Sequence, residues 1–370
     1  MLTFLSVAFL IYGAMHLYAL SKVWLTFSHS SGLGLVLVLW GLVMTFSPLI
    51  VWQIEKLNWH NVTVVTSWVV YVWMGLLFLF CSTALVFDLG HALATFMGYK
   101  WPLNASMALL TVGLLAFAML GYGFVEARQI HVKELKITTP KLSPAIGRVT
   151  IAQISDLHLG VMLGDEFLDR VIARLRELKP DIVVATGDIV DGQGDDLDEL
   201  ARHFLTYKPP KGAYAIIGNH EVYAGLGNSL RFLRSAGFTV LRGESVEAGG
   251  IILAGIDDPS AGVRGLEVRV DTKKAVASVT KSDFIVLLKH QPVIDKETPF
   301  DLQLSGHIHG GQIFPFGLLT RLTYGVSTGL TQLADGRLLY VSRGAGTWGP
   351  PIRLFAAPEI TLITIESENK

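Results

Sequence analysis

The chain has one cysteine in 370 residues, Cys81, and it sits inside an apolar run, which excludes an intramolecular disulfide. Charge is scarce as well: Asp, Glu, Lys and Arg make up 16% of the residues against 51% hydrophobic ones, too few for an ordinary soluble protein. No run of Lys and Arg occurs and the formal net charge is −1, so the electrostatic footprint of a nucleic-acid binder is missing. Internal repeats and low-complexity segments are also lacking.

The scarcity of charge is uneven. Charged residues are sparse before Glu126 and frequent from Arg128 onward, where the long apolar runs stop. Four apolar stretches, 1–20, 32–54, 62–87 and 103–125, each approach or exceed the roughly 20 residues a helix needs to cross a bilayer. The first lacks a basic leading region and is followed by three more, so it reads as a span rather than a cleaved signal peptide. Tyr18, Trp24, Trp52, Trp59, Trp101 and Tyr122 fall near span ends, where amphipathic rings prefer the headgroup zone.

An even number of spans puts the N-terminus and the C-terminal domain on one side. That face carries Lys56, Arg128, Lys133 and Lys136 against Lys22 and Lys100 on the other, which predicts a cytoplasmic catalytic domain. His16, Asp88, His91 and Glu126 are the ionisable residues in or beside the spans; all but His16 lie at expected span ends, where water is near. Residues 128–148 turn polar, with Pro140 and Pro144, and read as a linker between a transmembrane region, 1–127, and a soluble domain, 149–370.

Beyond Arg148, short β-branched runs alternate with amphipathic stretches, the pattern of a layered α/β domain. Strands are expected at 149–154, 181–185, 213–217, 251–255, 284–288, 302–304, 339–342 and 360–365, and helices at 167–179, 197–205, 229–235 and 272–279. Five strands run directly into clusters of Asp, Asn and His: Asp156-Leu157-His158, Gly187-Asp188, Gly218-Asn219-His220-Glu221, His290, and Gly306-His307-Ile308-His309. Ligands of open α/β sheets gather at the carboxyl ends of strands, so the five clusters can converge.

Nitrogen and oxygen donors without cysteine suit manganese, iron or zinc better than calcium. His307 and His309, one residue apart, share a face of an extended backbone and can ligate neighbouring ions. A carboxylate shared by two ions holds them roughly 3.5–4 Å apart, the spacing that clamps the attacking and leaving oxygens of a phosphoryl displacement, and Asp188 is the natural bridge. The order D-x-H, G-D, G-N-H-E, H, G-H-x-H resembles the calcineurin-like metallophosphoesterase superfamily from residue 149 onward. Within it, Gly306-His307-Ile308-His309-Gly310-Gly311-Gln312, Tyr340-Val341-Ser342-Arg343-Gly344 and Pro358-Glu359 resemble the YkuE/YaeI-type phosphodiesterases.

The resemblance implies a four-layer αββα fold, two mixed sheets packed together and flanked by helices. It implies that Asp156, His158, Asp188 and His309 bind one divalent metal ion and that Asp188, Asn219, His290 and His307 bind a second. His220 matches the family's non-ligand histidine that stabilises the transition state or protonates the leaving oxygen. The nucleophile would be a hydroxide held between the metals, and no protein nucleophile is needed. Glu221, Asp191 and Gln312 are weaker candidates, and Arg343 reads equally as a phosphate contact or an internal salt bridge.

The expected function is that of a membrane-anchored phosphodiesterase or pyrophosphatase acting on a lipid-linked or nucleotide-linked phosphate ester, with membrane lipids as partners and no nucleic acid. A phosphoprotein phosphatase uses the same metals, and a non-enzymatic membrane sensor could keep the fold. Lost ligands would mark the sensor, and all seven are present. Specificity is expected in the loops 191–198, 223–227 and 314–324.

Overall fold

A computed structural model describes residues 2–27, 31–57, 59–191 and 197–368. The chain forms two compact units, Met1–Val125 with Gly349–Ile352, and Glu126–Trp348 with Arg353–Lys370.

The first unit is helical. Its four helices, α1 (Leu2–Thr26), α2 (Ser31–Lys56), α3 (His60–Phe96) and α4 (Ala105–Ala127), are all long and apolar enough to span a membrane. The expected third span is longer than its apolar run suggested: α3 has 37 residues, about 55 Å at 1.5 Å per residue, well beyond a hydrocarbon core of about 30 Å. Asp88 and His91 therefore lie within this helix rather than at its end. Asp88 accepts hydrogen bonds from Tyr18 (2.6 Å) and Lys22 (2.7 Å), and both it and His91 line a cavity of about 290 Å³ with Trp101 and Asn104. His16 is buried and fully engaged: Nδ1 lies 2.9 Å from the Tyr12 carbonyl and Nε2 accepts from the Trp73 indole at 2.9 Å. Donating at one nitrogen and accepting at the other, it is a neutral packing group. Cys81 is half-buried, its thiol 3.4 Å from the Met15 carbonyl.

The second unit carries β1 (His131–Thr139), β2 (Arg148–Ile154), α5 (Asp165–Leu178), β3 (Ile182–Thr186), α6 (Leu197–Phe204), β4 (Ala213–Ile216), α7 (Asn219–Ser235), β5 (Thr239–Val240), β6 (Glu244–Ala248), β7 (Ile251–Gly255), α8 (Ser260–Val263), α9 (Thr272–Ala275), β8 (Ile285–Leu288), β9 (Leu302–Ser305), α10 (Phe316–Tyr324), β10 (Gly329–Gln332), β11 (Leu338–Val341) and β12 (Glu359–Ser367). The strands make two six-stranded mixed sheets, ordered β1-β12-β2-β3-β4-β5 and β10-β11-β9-β8-β7-β6. Period-2 alternation sorts their side chains between two cores. Ile151, Ile182 and Val184 meet Val286, Leu288 and Leu304 between the sheets, while Ile154, Val183 and Ala185 face the other way onto Leu168, Ile172 and Phe232 of α5 and α7. Ile285 and Leu287 turn to Val276 just beyond α9, which completes four layers.

Residues 128–148, read as a linker, contain a structural strand. β1 pairs in parallel with β12 along all nine residues, from His131 opposite Glu359 to Thr139 opposite Ser367, and Ile137 and Leu142 enter the core between the sheets. Its sequence, HVKELKITT, hides this because an edge strand stays partly in water and here carries Lys133, Glu134 and Lys136. The expected loop at 314–324 is largely α10, and that at 223–227 lies inside α7, where Gly225 kinks the helix at φ 108°. Of the loop 191–198, residues 192–196 lie outside the described residues. Truncating the β1 side chain in Ile137→Ala should destabilise the domain by roughly 2–5 kcal/mol, measurable by denaturant unfolding, whereas a free linker would tolerate the change.

Candidate metal centre

β2, β3 and β4 are mutually parallel neighbours in one sheet, and β8 and β9 are parallel neighbours in the other. Their carboxyl ends therefore fall along one edge of each sheet, where the chain turns sharply. Asp156 and His158 follow β2, Asp188 follows β3, Asn219 follows β4, His290 follows β8, and His307 and His309 follow β9. Asp156, His158, Asp188, His307 and His309 all have left-handed backbones, with φ between 50° and 73°. Such conformations each cost on the order of 1–3 kcal/mol in non-glycine residues and persist where surrounding structure enforces them. Gly218 and Gly306 allow the close approach: a Cβ on either would collide with the carboxylates of Asp188 and Asp156 respectively.

Three groups of donors converge among the described residues: Asp156 with His158 and His309, Asp188 with His290 and His307, and His158 with Asp191 and His220. In the first, His158 and His309 bring their Nε2 atoms to 3.0 Å, and His309 Nε2 lies 3.5 Å from Asp156 Oδ1. In the second, His290 Nε2 stands 3.1 Å from Asp188 Oδ2, from Asn219 Oδ1 and from His307 Nδ1. All seven residues anticipated as ligands are thus brought together. The anticipated non-ligand His220 joins them, its Nδ1 2.5 Å from Asp191 Oδ1 and its backbone N–H donating to Asp188 Oδ1 at 2.8 Å.

The surrounding shell was harder to foresee. Glu221 is fully buried and accepts from four backbone N–H groups, those of Asp188, Ile189, Val190 and Gly218, at 2.6–3.0 Å. It fixes the turns after β3 and β4, a larger part than orienting His220. Asp191 reaches both His220 and His158, the latter at 3.5 Å. Arg353 is fully buried and donates to the carbonyls of His309, Arg343, Gly346 and Ala356, with Nη2 3.2 Å from His309 Nδ1. Sequence reasoning missed it, since an arginine among Pro, Ile and Leu carries no motif. Tyr324 was missed as well, and its hydroxyl lies 2.7 Å from His307 Nε2. Arg343 resolves as an internal ion pair, donating to Glu359 at 2.6 Å, and Gln312 closes a two-bond contact with the Trp348 backbone at 2.8 and 2.9 Å.

The electrostatics fit divalent cations. Burial pushes the Asp156 carboxyl up, and the neighbouring Asp188 charge adds to the rise despite opposing histidines. Burial likewise disfavours ionised Asp188, yet the charges of His290 and His220 hold its carboxyl well below the usual range. His290 is raised well above an ordinary imidazole because Asp188 outweighs its burial. Burial lowers His307, to about 4, and His309, the latter helped by Arg353, which keeps both in the neutral form that ligates metal. Two buried carboxylates compensated by a protonated histidine mark a place where a cation can replace a proton.

The calcineurin-like phosphoesterase family matches residues 149–311. A metallophosphoesterase of Aquifex aeolicus is 40% identical over 252 residues, spanning 67% of this chain and 96% of its own length. YkuE of Bacillus subtilis is 33% identical, with 67% of this chain and 91% of that one covered. A transmembrane protein with metallophosphoesterase domain from Danio rerio is 33% identical over 70% of this chain and 62% of its own. The chain belongs to the calcineurin-like metallophosphoesterases and is a metal-dependent hydrolase of phosphoric esters, served by divalent ions at its clustered His and Asp side chains.

Two outcomes follow from this geometry. Adding manganese to chelated protein at neutral pH should release protons, chiefly from His290, and apparent affinity should fall as pH is lowered; calorimetry in buffers of different ionisation enthalpy reads both. In the metal-free protein, burial would lower His220, but Asp191 and Asp188 raise it to about 9. Its stabilising contribution is therefore full below about 6.5 and lost as pH rises through about 9, and Asp191→Asn should flatten that loss in thermal unfolding.

Proposed function

We propose that the protein is a membrane-anchored dimetal phosphodiesterase or pyrophosphatase, acting on a lipid-linked or nucleotide-linked phosphate ester, with its catalytic domain in the cytoplasm. Asp156, His158, Asp188 and His309 would hold one ion, and Asp188, Asn219, His290 and His307 the other. The observation that supports this reading is the convergence of Asp156, His158 and His309, and of Asp188, His290 and His307, with Asp188 3.1 Å from His290.

Divalent ions held by these side chains would supply Lewis acidity to a phosphoryl oxygen and would acidify water. The protein's own contribution is placement and proton handling. Asp191 engages His220 at Nδ1, which leaves Nε2 as the nitrogen able to carry a proton to a leaving oxygen. Tyr223 and Trp348 pack edge-on against that imidazole, at ring centroid distances of 5.4 and 5.8 Å, and fix its plane. Glu221 holds the turns that carry Asp188 and Asn219, so its charge acts through backbone geometry rather than on substrate. Membrane anchoring rests on the four apolar helices, and it raises the local concentration of an amphiphilic substrate. The cytoplasmic placement is supported by the basic residues flanking the spans, Lys56, Arg128, Lys133 and Lys136 on the domain's face against Lys22 and Lys100 on the other.

Detergent-solubilised protein with manganese should cleave a chromogenic phosphodiester faster than its monoester, and chelator should abolish turnover. His220→Ala should lower kcat by about 10²–10⁴-fold, the usual contribution of a positioned proton donor. Asp188→Asn should lose both metal and activity. A metal-loaded protein that hydrolyses neither ester would overturn the reading, and preference for a phosphopeptide would make it a phosphoprotein phosphatase.

A further inference from the structure

α10 is bound to the candidate metal centre at both ends and exposed along its middle. At its start, Gly317 approaches Gly311 so closely that a Cβ on Gly311 would strike the Gly317 backbone, which ties the helix to the turn holding His309. At its end, Tyr324 meets His307 Nε2 at 2.7 Å. Every residue between is at least partly exposed. Leu318 is 59% exposed, Leu319 56% and Leu322 82%; they form one stripe at i, i+1 and i+4, with Phe314 and Phe316 beside it. Apolar side chains in such a row, on a helix that gives a core cluster only Tyr324 at its end, mark an interaction surface.

The chain itself indicates the occupant. Four helices long enough to span a bilayer precede this domain, and only residues 128–130 separate α4 from β1, a reach of about 10 Å. No Asp or Glu occurs between Asp301 and Asp335, and the only charged residue of α10 is Arg321, so nothing acidic on the segment opposes an anionic headgroup layer. A leucine face and a single arginine, with no acidic side chain, suit a helix that lies in a membrane interface.

We propose that α10 is an interfacial helix: its Leu318, Leu319 and Leu322 stripe enters the bilayer surface and sets the metal centre against phosphate esters resident in the membrane. This rests on the phosphoesterase reading for its substrate, whereas the membrane contact stands on α10 alone. The stripe adds a lipid-phase substrate to the site without altering the donors.

The full chain is reconstituted in phosphatidylcholine–phosphatidylglycerol vesicles. Its kcat/KM is compared on p-nitrophenyl hexadecyl phosphodiester, held in the bilayer, and on the water-soluble methyl analogue. Leu318→Gln combined with Leu322→Gln, both at exposed helical positions that glutamine tolerates, should lower the rate on the hexadecyl ester about tenfold and leave the methyl ester unchanged. Equal losses on both esters would assign α10 to support of His307 and overturn the proposal, as would no loss on either. Wild-type failure on both esters would strike the phosphoesterase reading instead. A second readout then decides α10 independently: a nitrobenzoxadiazole probe on Leu322→Cys, in a Cys81→Ala background, should be quenched by spin-labelled lipids. An unquenched probe would place the stripe in water or against a protein and remove the proposal.

Discussion

The Asp188 carboxylate lies buried at the seam of two sheets, and the charges offsetting it come from His290, His220 and His158 rather than from lysine or arginine. A buried anion with no permanent counter-charge is tolerable only where protons or metal ions can be exchanged around it. The rest of the centre answers to that requirement. Glu221 takes up the backbone donors of the turn that carries Asp188, Gly218 gives the carboxylate room, and the left-handed backbones of Asp156, His158, His307 and His309 turn their side chains inward. Among the described residues Arg353 is a fully buried arginine that addresses His309 from behind while its remaining donors go to main-chain carbonyls. The strain of the left-handed positions is offset by the core between the sheets, to which β1 contributes as well as the central strands.

The membrane portion follows a different constraint. With no water inside a bilayer, polar groups must find partners within the protein, and the helical unit does this at His16, which is joined to Tyr12 and Trp73, and at Asp88, which is joined to Tyr18 and Lys22. Both residues drew attention as possible functional groups, and their partners make them fixtures of helix packing. The length of α3 has the same character: the apolar run stops at Phe87, but backbone hydrogen bonding carries the helix to Phe96 because the following residues, up to Thr95 and Phe96, include strong helix formers and no proline.

What the sequence determined by itself was chemistry and order. Five Asp, Asn and His clusters, each just past a β-branched run, pointed to a metallophosphoesterase and to seven side chains that the fold brings together, because period-2 burial and strand-end clusters are local signals. Four helices long and apolar enough to span a membrane were equally legible, since hydropathy over 20 residues is a local property. Tertiary structure decided what depends on partners distant in the chain. β1 is a strand because β12, more than 200 residues away, offers it a ladder, and its charged, half-solvated sequence gave no sign of that. Arg343 became an ion pair because Glu359 stands beside it, Arg353 came to back His309 because five carbonyls converge on it, and Tyr324 reached His307 because glycines let α10 dock on the turn after β9. A residue's type fixes which bonds it can make, and only the folded chain fixes which partner lies within 3 Å.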